Sequence, residues 1–171
     1  MPPVTSAGLL LYRRRADGRD GDGVEVLLGH MGGPFWARKD AAAWSLPKGE
    51  HGPDEDALDA ARREFAEEIG AAPPGGEPRE LGTVTQSGRR KTVTAFALDG
   101  SGFTGAGAVA DRPDDGTWVE IEWPRGSGRT LRFPEIDRAE WFDLATARDK
   151  IVRGQLPLLD RLAELLDLRS P

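Results

Sequence analysis

Gly49-Glu50-His51-Gly52-Pro53-Asp54-Glu55-Asp56-Ala57-Leu58-Asp59-Ala60-Ala61-Arg62-Arg63-Glu64-Phe65-Ala66-Glu67-Glu68-Ile69-Gly70 is the stretch on which the reading of this chain turns. The spacing predicts a helix over Asp54–Ile69, with Gly70 as its C-terminal stop. With Leu58 at zero and about 100° per residue, Leu58, Ala61, Phe65 and Ile69 share an arc of about 80°. That apolar stripe anchors the helix to a sheet. Glu64, Glu67 and Glu68 share an arc of about 100°, beside the stripe rather than opposite it. Like charges one turn apart destabilise a helix by a few tenths of a kcal/mol. Three acids kept together there point to a neutralising group, and a hard divalent cation is the physical candidate. Mg²⁺ takes oxygen ligands and shares them with substrate phosphates, and Mn²⁺ suits the same oxygen-rich site. Such a cation polarises a phosphoryl oxygen, activates water and orients a leaving group. The competing reading is a solvated acidic face paired with Arg62 and Arg63.

The charge of the whole chain favours a local explanation. There are 29 acidic and 23 basic residues, for a net charge of −6. Residues 49–71 alone hold eight acids and two bases, so the remainder is balanced. Bases are 19 Arg and four Lys (Lys39, Lys48, Lys91, Lys150), which draws attention to each Lys. No basic stripe is interleaved with aromatics, so nucleic acid is not an expected partner. Cysteine is absent and His30 and His51 are the only histidines, which excludes disulfides, thiolate zinc sites, a cysteine nucleophile and multi-histidine metal sites. No apolar run approaches the roughly 18 residues of a membrane span. Arg13-Arg14-Arg15 follows the apolar Ala7–Tyr12 stretch, the reverse of a secretory signal. A cytoplasmic protein with no membrane partner is expected.

At 171 residues the chain is expected to form one domain over 1–171. Val4–Arg13 and Val24–His30 read as paired strands around an Asp17–Gly23 turn. Ala41–Leu46 reads as a short strand ended by Pro47, and Ala72–Gly76 as a loop. Leu81–Gln86 and Lys91–Leu98 read as strands around a basic turn. Asp99–Gly116, rich in Gly and Asp, reads as a mobile loop, either inert or a lid. Thr117–Trp123 and Thr130–Phe133 read as a hairpin. Glu140–Asp143 reads as a strand or helix lead-in, and Leu144–Ile151 and Leu156–Leu168 as helices. Strands outnumber helices and are mixed in order, so the class is α+β.

In full register, the stretch runs Gly49, Glu55, Arg63-Glu64-Phe65, Glu67-Glu68, Ile69, Gly70. It resembles the Nudix box of the MutT-like Nudix hydrolases, here residues 49–71. Phe65 stands where Leu is more usual, and Ala71 where an aliphatic residue usually ends the box; both are packing positions. The resemblance implies an α/β/α sandwich around a central mixed β-sheet. It implies Mg²⁺- or Mn²⁺-dependent hydrolysis of a pyrophosphate bond in a nucleoside diphosphate derivative. Carried over residue by residue, Glu64, Glu67 and Glu68 are the metal ligands, with the Gly49 carbonyl completing the shell. Glu64 or Glu67 takes the position of the base that activates water. Glu55 and Arg63 form an ion pair holding the box loop, and Gly49 and Gly70 are positions where a side chain would not fit.

Outside the box, Trp44-Ser45-Leu46-Pro47-Lys48-Gly49-Glu50 resembles the lead into the box in the branch that cleaves dinucleoside polyphosphates and diphosphoinositol phosphates. An Ap4A-like dinucleoside polyphosphate is thus the first substrate expected. A nucleoside triphosphate, an ADP-linked metabolite or a catalytically silent nucleotide-sensing module are the alternatives. Lys48 is placed to meet phosphate oxygens beside the metal. Arg89-Arg90-Lys91 opens a strand that resembles a phosphate-contacting position of the same branch, making Arg90 and Lys91 candidates against a solvated strand edge. Glu135, six residues before Trp141, resembles an additional catalytic or metal-binding Glu of that branch, although Ile136 replaces the usual following His. Glu120 and Glu122 are its rivals. Trp36 is the better candidate to stack a base, with Phe35 beside it, whereas Trp44 reads as core. A monomer and a homodimer are equally compatible with the sequence.

Overall fold

A computed structural model describes residues 2–15, 23–86, 88, 90–108 and 118–168. The first strand, β1 (Val4–Arg14), and the second, β2 (Val24–Met31), pair antiparallel. The turn expected over Asp17–Gly23 lies outside the described residues except for Gly23. Two short strands, β3 (Trp44–Ser45) and β4 (Lys48–Glu50), attach to β2 and β1 respectively. Helix α1 (Ala57–Ile69) follows, then β5 (Arg79–Gln86), β6 (Lys91–Asp99) and the two-residue β7 (Gly107–Ala108). A hairpin of β8 (Trp118–Glu122) and β9 (Thr130–Pro134) forms its own sheet. β10 (Ile136–Asp143), α2 (Leu144–Lys150) and α3 (Leu156–Leu165) complete the described order, with a short 3₁₀ turn at Arg153–Gln155 between the last two.

The main sheet runs β5-β6-β1-β2-β10-β7. β1 and β6 are parallel, and the other pairs are antiparallel, so the sheet is mixed. The continuous apolar run of β1 is explained by burial on both faces. Leu9 and Leu11 pack with Phe65, Ile69 and Ala61 of α1. Leu10 points the other way, into a core with Val26, Leu28, Leu158, Leu159 and Leu162. The period-two alternation of a strand thus assigns successive leucines to opposite layers. The result is helix, mixed sheet, helix, the α+β architecture expected.

Of the segment read as a loop over Asp99–Gly116, residues 109–116 lie outside the described residues, and Gly107–Ala108 form β7. Among the boundaries that differ from the sequence reading, three have a clear local cause. α1 starts at Ala57 rather than Asp54, because Asp56 is the N-cap and its carboxylate accepts the N–H groups of Leu58 and Asp59. The strand expected over Ala41–Leu46 shrinks to Trp44–Ser45, because Ala42 turns the chain with φ 53°. β10 reaches back to Ile136, well before Glu140, since its inward positions Ile136 and Ala139 are buried against the sheet. No helix among the described residues is long and apolar enough to cross a membrane.

Candidate active site

The C-terminal stop of α1 is built as its sequence suggests. Gly70 adopts φ 77° and its N–H donates to the carbonyl of Ala66, a left-handed cap that suits glycine. The apolar stripe is fixed by Phe65 and Ile69, both fully buried. Two of the flanking acids are drawn down with it. Glu64 is 7% exposed and Glu68 4% exposed, while Glu67 stays half open.

Arg63 organises the acids. Its Nε and Nη2 donate to the two oxygens of Glu55 at 2.8 and 3.0 Å. This fork-on-fork geometry is the strong form of the ion pair. Its Nη1 donates to Glu64 Oε1 at 2.7 Å and to Glu67 Oε2 at 3.3 Å. Glu55 is held below the usual carboxylate range by its hydrogen bonds from Arg63, and Arg63 is correspondingly held more firmly protonated. Burial pushes Glu64 up, against the hydrogen bond from Arg63 that pulls it down.

Gly49 packs directly over this group. A Cβ there would sit 1.9 Å from Cδ of Glu64 and 2.1 Å from its Oε2. Any side chain at 49 therefore occupies the space of the Glu64 carboxylate.

Glu68 is in a different position. Its Oε2 accepts the backbone N–H of Lys48 at 3.0 Å. Burial pushes its carboxyl well above the usual range; the charge of Glu135 adds to this, and Lys48 opposes it. Glu135, at the β9–β10 junction, faces the same space. It is open to solvent on one side, yet packing on the other raises its pKa, with Lys48 and Lys91 opposing.

These groups border one recess with two lobes. The smaller, about 260 Å³, lies between Gly49, Glu50, Glu64 and Glu135. The larger, about 540 Å³, extends past Glu68, Trp36 and Phe133 to the 3₁₀ turn. Lys48, Lys91, Gln86 and Glu135 line both lobes. Acids and ammonium groups therefore face each other across a shared space.

Of the candidates read from the sequence, Glu64, Glu68, Glu135, Gly49, Lys48, Lys91 and Trp36 meet at this recess. Glu67 turns toward Arg63 and lines neither lobe. Arg90 is exposed and lines neither lobe; its carbonyl accepts the N–H of Val4. Arg89 lies outside the described residues. Glu122 is engaged in the hairpin, where it accepts the Gly128 N–H at 2.7 Å, and Glu120 is exposed on the same strand. Trp44 is core, with its indole N–H donated to Asp40. Phe35 packs edge-on against Trp123 at 4.8 Å. His30 is fully buried and ties the Trp36 loop to β10, with Nε2 2.7 Å from the Lys39 carbonyl and Nδ1 3.0 Å from Asp137.

Among the described residues, no three carboxylate or imidazole side chains are gathered closely enough to form a finished metal cage. The donor set nevertheless fits Mg²⁺ or Mn²⁺. Such ions use one or two protein carboxylates and complete their shell with water and substrate phosphates. Glu68, buried and without a side-chain cation within salt-bridge distance among the described residues, and Glu64, under the bare backbone of Gly49, are the pair that could hold such an ion.

The sequence reading missed Gln86, Arg153 and Gln155. Gln155 is fully buried; its Oε1 accepts the Leu46 N–H at 3.1 Å and its Nε2 donates to Ser45 Oγ at 2.9 Å. It pins the 3₁₀ turn to the segment leading into Lys48. None of the three stands in a motif, and only the fold brings them to the recess.

A NUDIX domain model matches residues 3–162. No curated protein matches the chain by sequence. Among solved structures, an Ap4A hydrolase from C. elegans in a binary complex superposes with a TM-score of 0.60 at 23% identity, over 96% of this chain and 98% of that one. A mutT/nudix family protein from Listeria innocua gives 0.61 at 16% identity, over 98% and 96%. The NUDIX domain of Shewanella oneidensis NrtR, complexed with ADP ribose, gives 0.58 at 16% identity, over 97% and 90%. At these identities the likeness is one of fold.

Proposed function

Because the chain belongs to the Nudix family of pyrophosphohydrolases, we propose that its recess hydrolyses a pyrophosphate bond within a dinucleoside polyphosphate, with Mg²⁺ or Mn²⁺ as cofactor. The observation that carries this reading is the opposition of Glu64, Glu68 and Glu135 to Lys48 and Lys91 across a shared space. A polyphosphate chain needs both signs at once: ammonium groups for its free oxygens, and carboxylates to hold the cation that neutralises the rest.

Glu68 and Glu64 would hold the metal, with the Gly49 carbonyl beside them. The bound cation supplies charge neutralisation at phosphoryl oxygens. Lys48 and Lys91 bind and orient the chain by charge-assisted hydrogen bonds. Water adds to one phosphorus, the bond to the bridging oxygen breaks, and that oxygen leaves on the departing phosphate. The proton of the water passes to a carboxylate. Glu135 lines both lobes, which places it to take that proton, and burial raises its carboxyl above the ordinary range. Glu64 shares the smaller lobe and is the second candidate, whereas Glu67 serves the Arg63 cluster. Trp36 offers a ring for a base; its own loop supplies Lys39, 5.1 Å from the ring centre. Arg63 and Glu55 act by holding Glu64 and Glu67 in place. A cytoplasmic location suits such a substrate.

The test is turnover of a panel of diadenosine polyphosphates, nucleoside triphosphates, ADP-ribose and a diphosphoinositol phosphate, with Glu68→Gln as the control. Product from the wild type alone, greatest with a diadenosine polyphosphate, is the expected result. Nucleotide binding without product from any of them would replace the hydrolase reading with a sensor.

A further inference from the structure

We infer that Arg153 is a specificity-determining residue, which grips the part of a polyphosphate chain that lies beyond the metal-bound phosphates and so favours long chains over diphosphates. The inference deepens the reading of the recess as a pyrophosphate-cleaving site and rests on it.

The geometry places Arg153 in a rigid mount. The Val152 N–H donates to the Trp44 carbonyl at 2.8 Å, and the Gln155 N–H returns to the Val152 carbonyl at 2.9 Å. Gln155 is locked to Ser45 and Leu46 through its buried side chain. Gly154 presses on β5, where an added Cβ would meet Gln86 at 3.2 Å. The turn is thus wedged between the segment entering Lys48 and the end of β5. Its one long side chain lines the larger lobe together with Lys48 and Lys91.

The three cations are arranged in a meaningful order. Lys48 follows the box lead, and its backbone N–H is bonded to Glu68. Lys91, Lys48 and Glu135 border both lobes, with Glu64 on the smaller side and Glu68 on the larger, whereas Arg153 borders only the larger lobe, at its 3₁₀-turn end. Among the described residues Arg153 has no carboxylate within ion-pair distance and no side-chain hydrogen bond. Arg63, Arg13, Arg148 and Arg161 are each engaged with protein acceptors. A guanidinium held on a fixed turn, unengaged and facing the same space as two ammonium groups, fits a bidentate phosphate ligand. A diphosphate held where the two lobes meet, between Glu64 and Glu68, already meets Lys48 and Lys91. Only a longer chain, or a second phosphorylated end, extends past them to Arg153.

The experiment compares diadenosine tetraphosphate and ADP-ribose with the wild type, Arg153→Gln and Arg153→Lys, all with Mg²⁺. For the tetraphosphate, Arg153→Gln should lower kcat/KM roughly 10- to 100-fold, mainly through KM, as expected for one lost charge-assisted contact. The loss with ADP-ribose should be at least several-fold smaller. Arg153→Lys keeps the charge without the fork and should fall between. Because Arg153 is exposed, melting temperatures of the variants should match the wild type, which separates a lost contact from a damaged fold. Equal losses on both substrates, or none on either, would overturn the inference. If the wild type cleaves neither compound, the hydrolase reading is decided by the wider panel, and the grip is judged by binding of inorganic tripolyphosphate and pyrophosphate with Mg²⁺. A tripolyphosphate-selective weakening in Arg153→Gln supports it; equal affinities for wild type and variant refute it.

Discussion

Glu68→Gln should make the metal-free protein more stable while making it insensitive to the metal. Glu68 is 4% exposed, and its pKa is raised by burial and then by Glu135. A carboxyl whose folded pKa exceeds its unfolded value, about 4.3 for Glu, weakens the fold as pH rises from that value through the folded pKa. Each tenfold loss of acidity costs about 1.4 kcal/mol above both values. Glutamine has the same shape, and its carbonyl can still accept the Lys48 N–H that Glu68 Oε2 takes at 3.0 Å. The charge goes and the hydrogen bond stays. In chelator at pH 7.5 the variant should therefore gain on the order of 1–3 kcal/mol, or about 2–4 °C for each kcal/mol in a domain of this size. Below about pH 4, under the unfolded value, the raised carboxyl no longer opposes folding, and the two melting curves should converge. At a metal concentration of 100 Kd the wild type gains about 2.7 kcal/mol, and the variant should gain much less. The gap between them should then close or reverse. Calorimetry with chelator and with millimolar Mg²⁺ or Mn²⁺ measures all three quantities. A variant less stable than the wild type in chelator at pH 7.5 would refute the reasoning, because the Glu68 charge would then be stabilising the fold.

Two further substitutions probe how the site is held. Gly49→Ala places a methyl 1.9 Å from Glu64 Cδ; overpacking of this kind costs about 1–3 kcal/mol, so urea midpoints should fall along with turnover, and wild-type behaviour in both would exclude the close contact. Asp40→Ala orphans the buried Trp44 indole N–H and should cost about 1–3 kcal/mol, whereas Asp40→Asn, which keeps an acceptor, should recover most of it. The ion pair of Asp40 with Lys150 holds the Asp40 carboxyl below its ordinary value, so whatever charge stabilisation the wild type draws from it is present above about pH 4 and lost as pH falls through the lowered pKa. A melting temperature in Asp40→Asn as low as in Asp40→Ala would place the value of Asp40 in its charge instead.

How much was legible in the sequence depends on how locally each feature is encoded. α1 carries its own stop, stripe and acids within one segment, so periodicity set Glu64, Glu67 and Glu68 side by side, and the resemblance of the full register to the Nudix box made them candidates. Periodicity could not place the helix start after Asp56 rather than at Asp54, because Asp can cap from either position and only the backbone decides. The same periodicity put the three acids on one arc without separating their roles. In the fold, two turns of a wheel become two depths: Glu64 and Glu68 go under, and Glu67 stays with Arg63. The first residues of β10 were missed because Ile136-Asp137-Arg138-Ala139 has no strict alternation, and a bulge in its pairing with β2 falls between Ile136 and Arg138. Gln86, Arg153 and Gln155 come from distant segments that touch only through sheet order, and no spacing rule reaches across them. Arg90 sits in the turn before β6, exposed and outside both lobes, whereas Lys91 opens the strand and lines them.

The cost of the buried acids explains why they sit on this helix and not on a loop. An ionised Glu68 near Glu135 opposes folding, and the scaffold must outweigh it before any cation arrives. α1 does so with Phe65 and Ile69, fully buried against Leu9, Leu11 and Leu98, at about 1.5–3 kcal/mol for each large side chain. Arg63 contributes by placing one positive charge among Glu55, Glu64 and Glu67. Glu68 alone receives no such side-chain partner within ion-pair distance among the described residues. Had it one, a bound metal would have to displace that partner, and affinity would fall accordingly. On the proposed reading, a buried carboxylate without a side-chain ion pair, on an element stable enough to tolerate it, would keep free energy of neutralisation for a cation and the phosphate chain arriving with it.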